Sequence, residues 1–78
     1  MKNLTLYILN SCPYCQKVLN YLTEKSITVL IKLTGDDANR EELIKIGGKK
    51  QVPCLVIDGK ALYESNDIIA WFKENYPT

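Results

Sequence analysis

The hydrophobic and polar positions of this chain change their period several times, and each change marks an element. Residues Leu4 to Leu9 alternate loosely and include Tyr7 and Ile8, which predicts a buried strand. Asn10-Ser11 breaks that run. From Pro13 to about Lys25 the spacing turns helical, with Cys15, Val18, Leu19 and Leu22 at i, i+3, i+4 and i+7 on one apolar face. Ile27 to Leu33 is β-branched and apolar, the composition of a second strand. Thr34-Gly35-Asp36-Asp37 reads as a turn leading into a helix cap. Asn39 to about Ile46 reads as a weaker helix that stops at Gly47-Gly48. Pro53 to Ile57 is a third strand, Asp58-Gly59 a hairpin turn and Lys60 to Tyr63 a fourth strand. Ser65 is placed as the cap of a last helix, which carries Ile68, Ile69 and Phe72 and stops near Pro77.

The order is β-α-β-α-β-β-α, an α/β arrangement. The first two strands, joined through a helix, are expected to be parallel with a right-handed crossover, and the last two to form an antiparallel hairpin. That gives a four-stranded mixed sheet flanked by three helices. With 78 residues the chain is expected to be one domain, 1–78, with a modest core. Ten Lys or Arg against nine Asp or Glu leave a net charge of +1, which argues against a nucleic-acid binder. No apolar run approaches the roughly 18 residues of a membrane span, and no signal-peptide pattern follows the N-terminus. A cytoplasmic location is therefore expected. A reducing compartment disfavours a disulfide framework, and the three cysteines are an odd number. Nothing in the sequence demands an oligomer, so a monomer is expected.

Two of those cysteines stand as Cys12-Pro13-Tyr14-Cys15, at the start of the first predicted helix. With Cys12 at the N-cap, Pro13 occupies N1, where its missing N–H costs no helical bond. Free backbone N–H groups and the positive end of the helix dipole then surround Cys12. Helix N-termini and Cys-x-x-Cys settings lower a cysteine pKa from about 8.5 to roughly 3.5–7.5, and the thiolate is the attacking species in disulfide exchange. Cys15 lies one turn on, in line with the apolar stripe, and should be the less exposed of the two. Cys12 is thus cast as the nucleophile and Cys15 as the resolving thiol. A zinc site wants four Cys or His ligands; the chain has no His and only Cys54 besides this pair, so no metal is expected. A purely structural disulfide over so short a step would remove little chain entropy.

Cys12-Pro13-Tyr14-Cys15, Gln51-Val52-Pro53 and Glu64-Ser65-Asn66-Asp67 together resemble the glutaredoxin family. The likeness is greatest to bacterial glutaredoxins related to the N-terminal domain of glutathione S-transferases, and it covers nearly the whole chain. It implies a thioredoxin-like fold, glutathione as reducing cosubstrate, and disulfide-bonded or glutathionylated proteins as partners. It also implies that Pro53 follows a cis bond and brings the Val52 backbone beside Cys12; a trans proline opening a strand is the alternative. Glu64 and Ser65 stand where the family binds the γ-glutamyl end of glutathione. Independently, backbone N–H groups at a helix start suit a carboxylate, and Asp67 or Glu64 suits the α-ammonium. Ser65 and Asp67 acting only as caps is the plainer alternative. Tyr14 is expected to pack against a bound ligand. Lys50 or Gln51 is expected to meet the glycyl carboxylate, unless Lys49-Lys50 is simply a solvated turn.

The chain departs from the family at Leu9, where many members have a Lys. Cys54 is read as a small core residue, and Trp71, Phe72 and Tyr76 as packing rather than a ligand box. Two rival functions follow from the same residues. One is a [2Fe–2S] cluster shared by two chains and two glutathiones through Cys12, which Pro13 disfavours. The other is a conjugating transferase, disfavoured because both cysteines are kept and no helical second domain follows Thr78.

Overall fold

The computed structural model describes residues 3–76. Its elements are β1 (Leu4–Ile8), α1 (Pro13–Glu24), β2 (Leu30–Leu33), α2 (Asp37–Gly47), β3 (Cys54–Ile57), β4 (Lys60–Tyr63) and α3 (Ser65–Asn75). The sheet order is β2-β1-β3-β4. β1 and β2 are parallel, with Thr5 opposite Leu30, while β3 runs antiparallel to both β1 and β4. The mixed sheet, the three helices and the element order are those the sequence predicts. The expected stop at Pro77 lies outside the described residues.

Strand alternation divides the core in two. Leu6, Ile8 and Leu55 share one cluster with Cys15, Val18 and Leu22 of α1 and with Ile68 and Phe72 of α3. Tyr7, Cys54 and Val56 form the other with Leu43 of α2. Each fully buried large apolar side chain contributes about 1.5–3 kcal/mol, so the larger cluster, under α1 and α3, carries more of the stability.

The predicted second strand is longer than the observed one. Ser26 sits at φ 56, its N–H donates to Thr23 O at 3.1 Å, and the Ile27 N–H donates to Leu22 O at 2.9 Å. This is a Schellman closure of α1 with serine where glycine is usual. The backbone of Ile27 therefore belongs to the helix end, and Ile27 and Val29 pack on the larger core cluster outside the strand. Downstream, Thr34 ties the end of β1: its N–H and Oγ1 both donate to Ile8 O, at 2.8 and 3.1 Å.

α2 begins two residues earlier than predicted, because the Asp36 carboxylate accepts from the N–H groups of Ala38 and Asn39 at 2.9 and 3.3 Å. At its other end the two glycines do different work. Gly48 takes the left-handed conformation at φ 80 that closes the helix. Gly47 is where α2 meets β4: a Cβ there would lie 1.9 Å from Tyr63 Oη and 3.0 Å from Ala61 Cβ. The hairpin turn is as predicted, with Asp58 at φ 49 and Gly59 at φ 87, the signs of a type I′ turn.

Ser65 is not the cap of α3. Glu64 holds that place at φ 75 and ψ 121 and makes no side-chain capping bond, and Ser65 is the first helical residue, buried. The reason lies in a neighbouring segment: the Glu64 carboxylate accepts from Gln51 Nε2 at 2.9 Å and so faces the β3 side, while its positive φ turns the chain at Ser65.

Candidate active site

The turn between β1 and α1 carries the dithiol. Cys12 is the N-cap of α1 in extended conformation, with Pro13 following at the helix start. Its N–H donates to Leu9 O at 3.3 Å, and its carbonyl accepts from the Gln16 N–H at 3.1 Å. Its Sγ accepts from the Cys15 N–H at 3.2 Å. The cysteine side chain thus performs the capping that Ser or Asp performs elsewhere. Cys12 is partly exposed, whereas Cys15 is fully buried among Val18, Leu22 and Phe72. Burial, reinforced by the hydrogen bond with Cys12, pushes the Cys15 thiol up to about 12.

A groove of about 490 Å³ opens beside this turn, lined by Tyr14, Gln51, Val52, Pro53, Glu64, Ser65, Asn66 and Asp67. The fold joins three separate segments here: the start of α1, the loop before β3, and the start of α3. Cys12 borders the groove at Val52, whose carbonyl oxygen is 4.0 Å from Sγ. The Val52–Pro53 bond is cis. Tyr14 is 65% exposed and free to cover a ligand. Of the residues singled out in the sequence, Tyr14, Gln51, Val52, Pro53, Glu64, Ser65 and Asp67 come together on this groove. Lys50 does not; it is exposed and outside the lining.

Two residues escaped the sequence reading. Asn66 lines the groove, and Lys17 of α1 donates to its Oδ1 at 2.6 Å, tying the start of α3 to α1. Asn66 lies inside the Glu64–Asp67 motif and could have been taken with it. Lys17 gave no signal, because only the packing of α1 beside α3 brings it there. Cys54 sits on the opposite face of the sheet with Tyr7, Leu43 and Val56, where burial raises its thiol to about 11. Trp71, Phe72 and Tyr76 pack on one another, with centroids 5.2 to 6.0 Å apart, and none lines the groove.

Residues 6–78 match the glutathione S-transferase N-terminal domain family. Glutaredoxin 3 of Escherichia coli (strain K12) is 32% identical over 71 residues, which are 90% of this chain and 86% of that protein. The chloroplastic glutathione S-transferase DHAR3 of Arabidopsis thaliana is 33% identical over 69 residues, 88% of this chain but 27% of the transferase. Among solved structures, glutathione transferase Omega 3C from Trametes versicolor aligns with a TM-score of 0.85 at 32% identity, over 96% of this chain and 32% of that one. The chain therefore spans about a third of the transferases it resembles but most of the length of a glutaredoxin. It belongs to the glutaredoxin family, built on the same fold as the N-terminal domain of glutathione S-transferases.

Proposed function

We propose that the protein is a glutathione-dependent thiol–disulfide oxidoreductase that reduces protein disulfides and glutathione mixed disulfides through Cys12 and Cys15. The observation that carries this reading is the asymmetry of the two sulfurs. One caps a helix and borders a groove; the other is sealed one turn behind it.

The thiolate of Cys12 attacks one sulfur of the substrate disulfide. A bond forms between it and Cys12 Sγ, and the other substrate sulfur leaves as a thiolate and takes up a proton. Cys15 then gives up its proton and attacks Cys12 Sγ, which releases the second substrate thiol and leaves a Cys12–Cys15 disulfide. The substrate has gained two electrons. One glutathione attacks the exposed sulfur of Cys12 and frees Cys15. A second attacks the resulting mixed disulfide, yielding glutathione disulfide and the Cys12 thiolate.

A second glutathione also resolves the mixed disulfide between Cys12 and glutathione from solution, so Cys12 alone suffices for glutathionylated proteins. In the groove, the first N–H groups of α3 receive the γ-glutamyl carboxylate and Asp67 or Glu64 its ammonium. The Val52 backbone pairs with the cysteinyl backbone, and Tyr14 packs over the bound sulfur. The protein acts as a monomer in the cytoplasm; no helix among the described residues is long and apolar enough to cross a membrane.

The test is turnover of a glutathione mixed disulfide. Cys12→Ser is expected to abolish it, and Cys15→Ser to retain it. Residual turnover by Cys12→Ser at the wild-type rate would overturn the mechanism.

A further inference from the structure

The sheet has two edges, and they are finished differently. At β4 the apolar side chains are half covered, Ala61 and Tyr63 by the cluster under α2 and Leu62 by the larger cluster, and Lys60 is exposed. At β2 the apolar side chains stand out: Leu30 is 59%, Ile31 44% and Leu33 42% exposed. The register with β1 sets Leu30 and Lys32 on the face of Tyr7 and α2. It sets Ile31 and Leu33 on the face of Leu6, Ile8 and α1. Edge strands are ordinarily guarded by Pro or by a free charge. This strand has no Pro, and its one charge, Lys32, is bound to Glu42 at 2.6 Å. Asn39 reaches Leu33 and Glu42 reaches Lys32, so the next residue on that side of α2, Ile46, falls toward Leu30 and extends the apolar surface.

The backbone is open along the same edge. The Thr34 N–H donates to Ile8 O, so the alternate residues Lys32 and Leu30 also bond to β1, while Ile31 and Leu33 turn their groups outward. No strand lies beyond β2 among the described residues. Of those outward groups only the Leu33 carbonyl is met, by the Asp36 N–H at 3.2 Å and Asn39 Nδ2 at 3.0 Å.

We propose that β2 pairs two copies of this chain, antiparallel about a two-fold axis at Ile31. The Ile31 N–H of each copy donates to the Ile31 carbonyl of the other, and each Leu33 N–H donates to the Val29 carbonyl opposite. The contacts already made to Leu33 O end the ladder there. On one face Ile31 meets Ile31 and Leu33 meets Val29; on the other Leu30 lies against the apolar stem of Lys32. A register centred on Lys32 would instead set two lysines directly opposite, which is unfavourable. Because each copy uses the same strand, association closes at two. A second copy fits better than an unlike partner because the edge complements itself in hydrogen bonds, and a net charge of +1 opposes the approach little. The interface is small, in the weak class below about 1,200 Å². The monomer proposed above remains the catalytic unit, since no residue of β2 lines the groove.

Sedimentation equilibrium of the reduced protein from about 10 μM to about 1 mM tests this, a range that populates a dimer of micromolar to submillimolar Kd. The average mass is expected to climb from 8.9 kDa toward twice that value and to stop there. Amide hydrogen exchange at Ile31 and Leu33 should slow over the same range, while that at Leu30 and Lys32, already bonded to β1, should not change. Leu30→Lys and Ile31→Lys should each stay at 8.9 kDa at the highest concentration. Turnover of a glutathione mixed disulfide at the wild-type rate shows that each variant is folded. Leu30, the most exposed of the four apolar residues, keeps the test open if Ile31→Lys fails to fold. A wild-type mass that stays at 8.9 kDa throughout overturns the inference, as does one that rises past twice that value. A dimer that forms without slowing exchange at Ile31, or that Leu30→Lys retains in full, places the contact elsewhere and overturns it too.

Discussion

The two faces of the sheet each bury a cysteine, Cys15 against α1 and α3 and Cys54 with Leu43 of α2. Burial raises both thiols, to about 12 and about 11. By exposure and acidity alone they are near equivalents, and neither attacks an outside disulfide at neutral pH. What separates them is a neighbour. The Cys15 N–H touches the sulfur of Cys12 from one helical turn away, whereas Cys54 has Tyr7, Leu43, Val56 and Tyr63 around it and the sheet between it and Cys12. A buried thiol enters the chemistry only when another sulfur is delivered to it.

The largest expected effect breaks that equivalence directly. Cys15→Ser removes the internal resolving thiol and should slow protein-disulfide reduction by on the order of a hundredfold, since an external thiol lacks the effective molarity of a neighbour. Cys54→Ala should leave the rate unchanged and cost about 1 kcal/mol in urea unfolding. Equal loss of rate in both variants would remove the distinction drawn between the two faces.

Gly47→Ala tests the α2 face as a purely structural one. Its Cβ would collide with Tyr63 Oη, so the expected loss is about 1–3 kcal/mol of stability. Alkylation of Cys12 by iodoacetamide should proceed at the wild-type rate.

Alkaline pH sharpens the comparison further, because both raised thiols act in the same sense. A thiol whose folded pKa lies above its unfolded value stabilises the fold below the unfolded value, and that contribution is lost as the unfolded chain ionises first. Thermal stability should therefore fall from about pH 8.5 upward. Cys15→Ala and Cys54→Ala should each flatten part of the slope.

The smallest effect expected is at acid pH, again on the α2 face. Lys32 donates to Glu42 Oε1 at 2.6 Å and the Tyr7 hydroxyl donates to the same oxygen, and these two bonds hold the Glu42 carboxyl below the usual range. Its contribution is present above the unfolded pKa and is lost as pH falls through the folded one. Glu42→Gln should reduce the acid slope of the melting temperature slightly, and dithiol turnover at neutral pH should not change.

Most of the frame was legible because it rests on local signals. The strand alternation of Leu4–Leu9, the stripe from Cys15 to Leu22 and Asp58-Gly59 each need only their own neighbours. The groove residues were legible through the resemblance of their motifs to the glutaredoxin family. What escaped depends on bonds that the hydrophobic pattern does not record, at a helix end or between segments. Ile27 and Val29 have strand composition, but the end of α1 claims the Ile27 N–H. Ser65 has the chemistry of a cap, yet the bond between Glu64 and Gln51 and the turn at Glu64 move it one place into the helix. Lys17 meets Asn66 of the groove only through the packing of α1 beside α3. Lys50 drew interest because it precedes Gln51-Val52-Pro53, and it lies exposed beside that segment, outside the groove lining.

The contact between Gly47 and Tyr63 also bears on how such a sequence can change over time. The two positions lie sixteen residues apart, yet the hydroxyl of one fills the space where a side chain on the other would begin. Neither is free to drift alone. A larger residue at 47 becomes acceptable only after the ring at 63 has been shortened, so among relatives the two positions should vary as a pair. Construction of Gly47→Ala with Tyr63→Leu should show the history in miniature, with the double variant more stable than Gly47→Ala by itself.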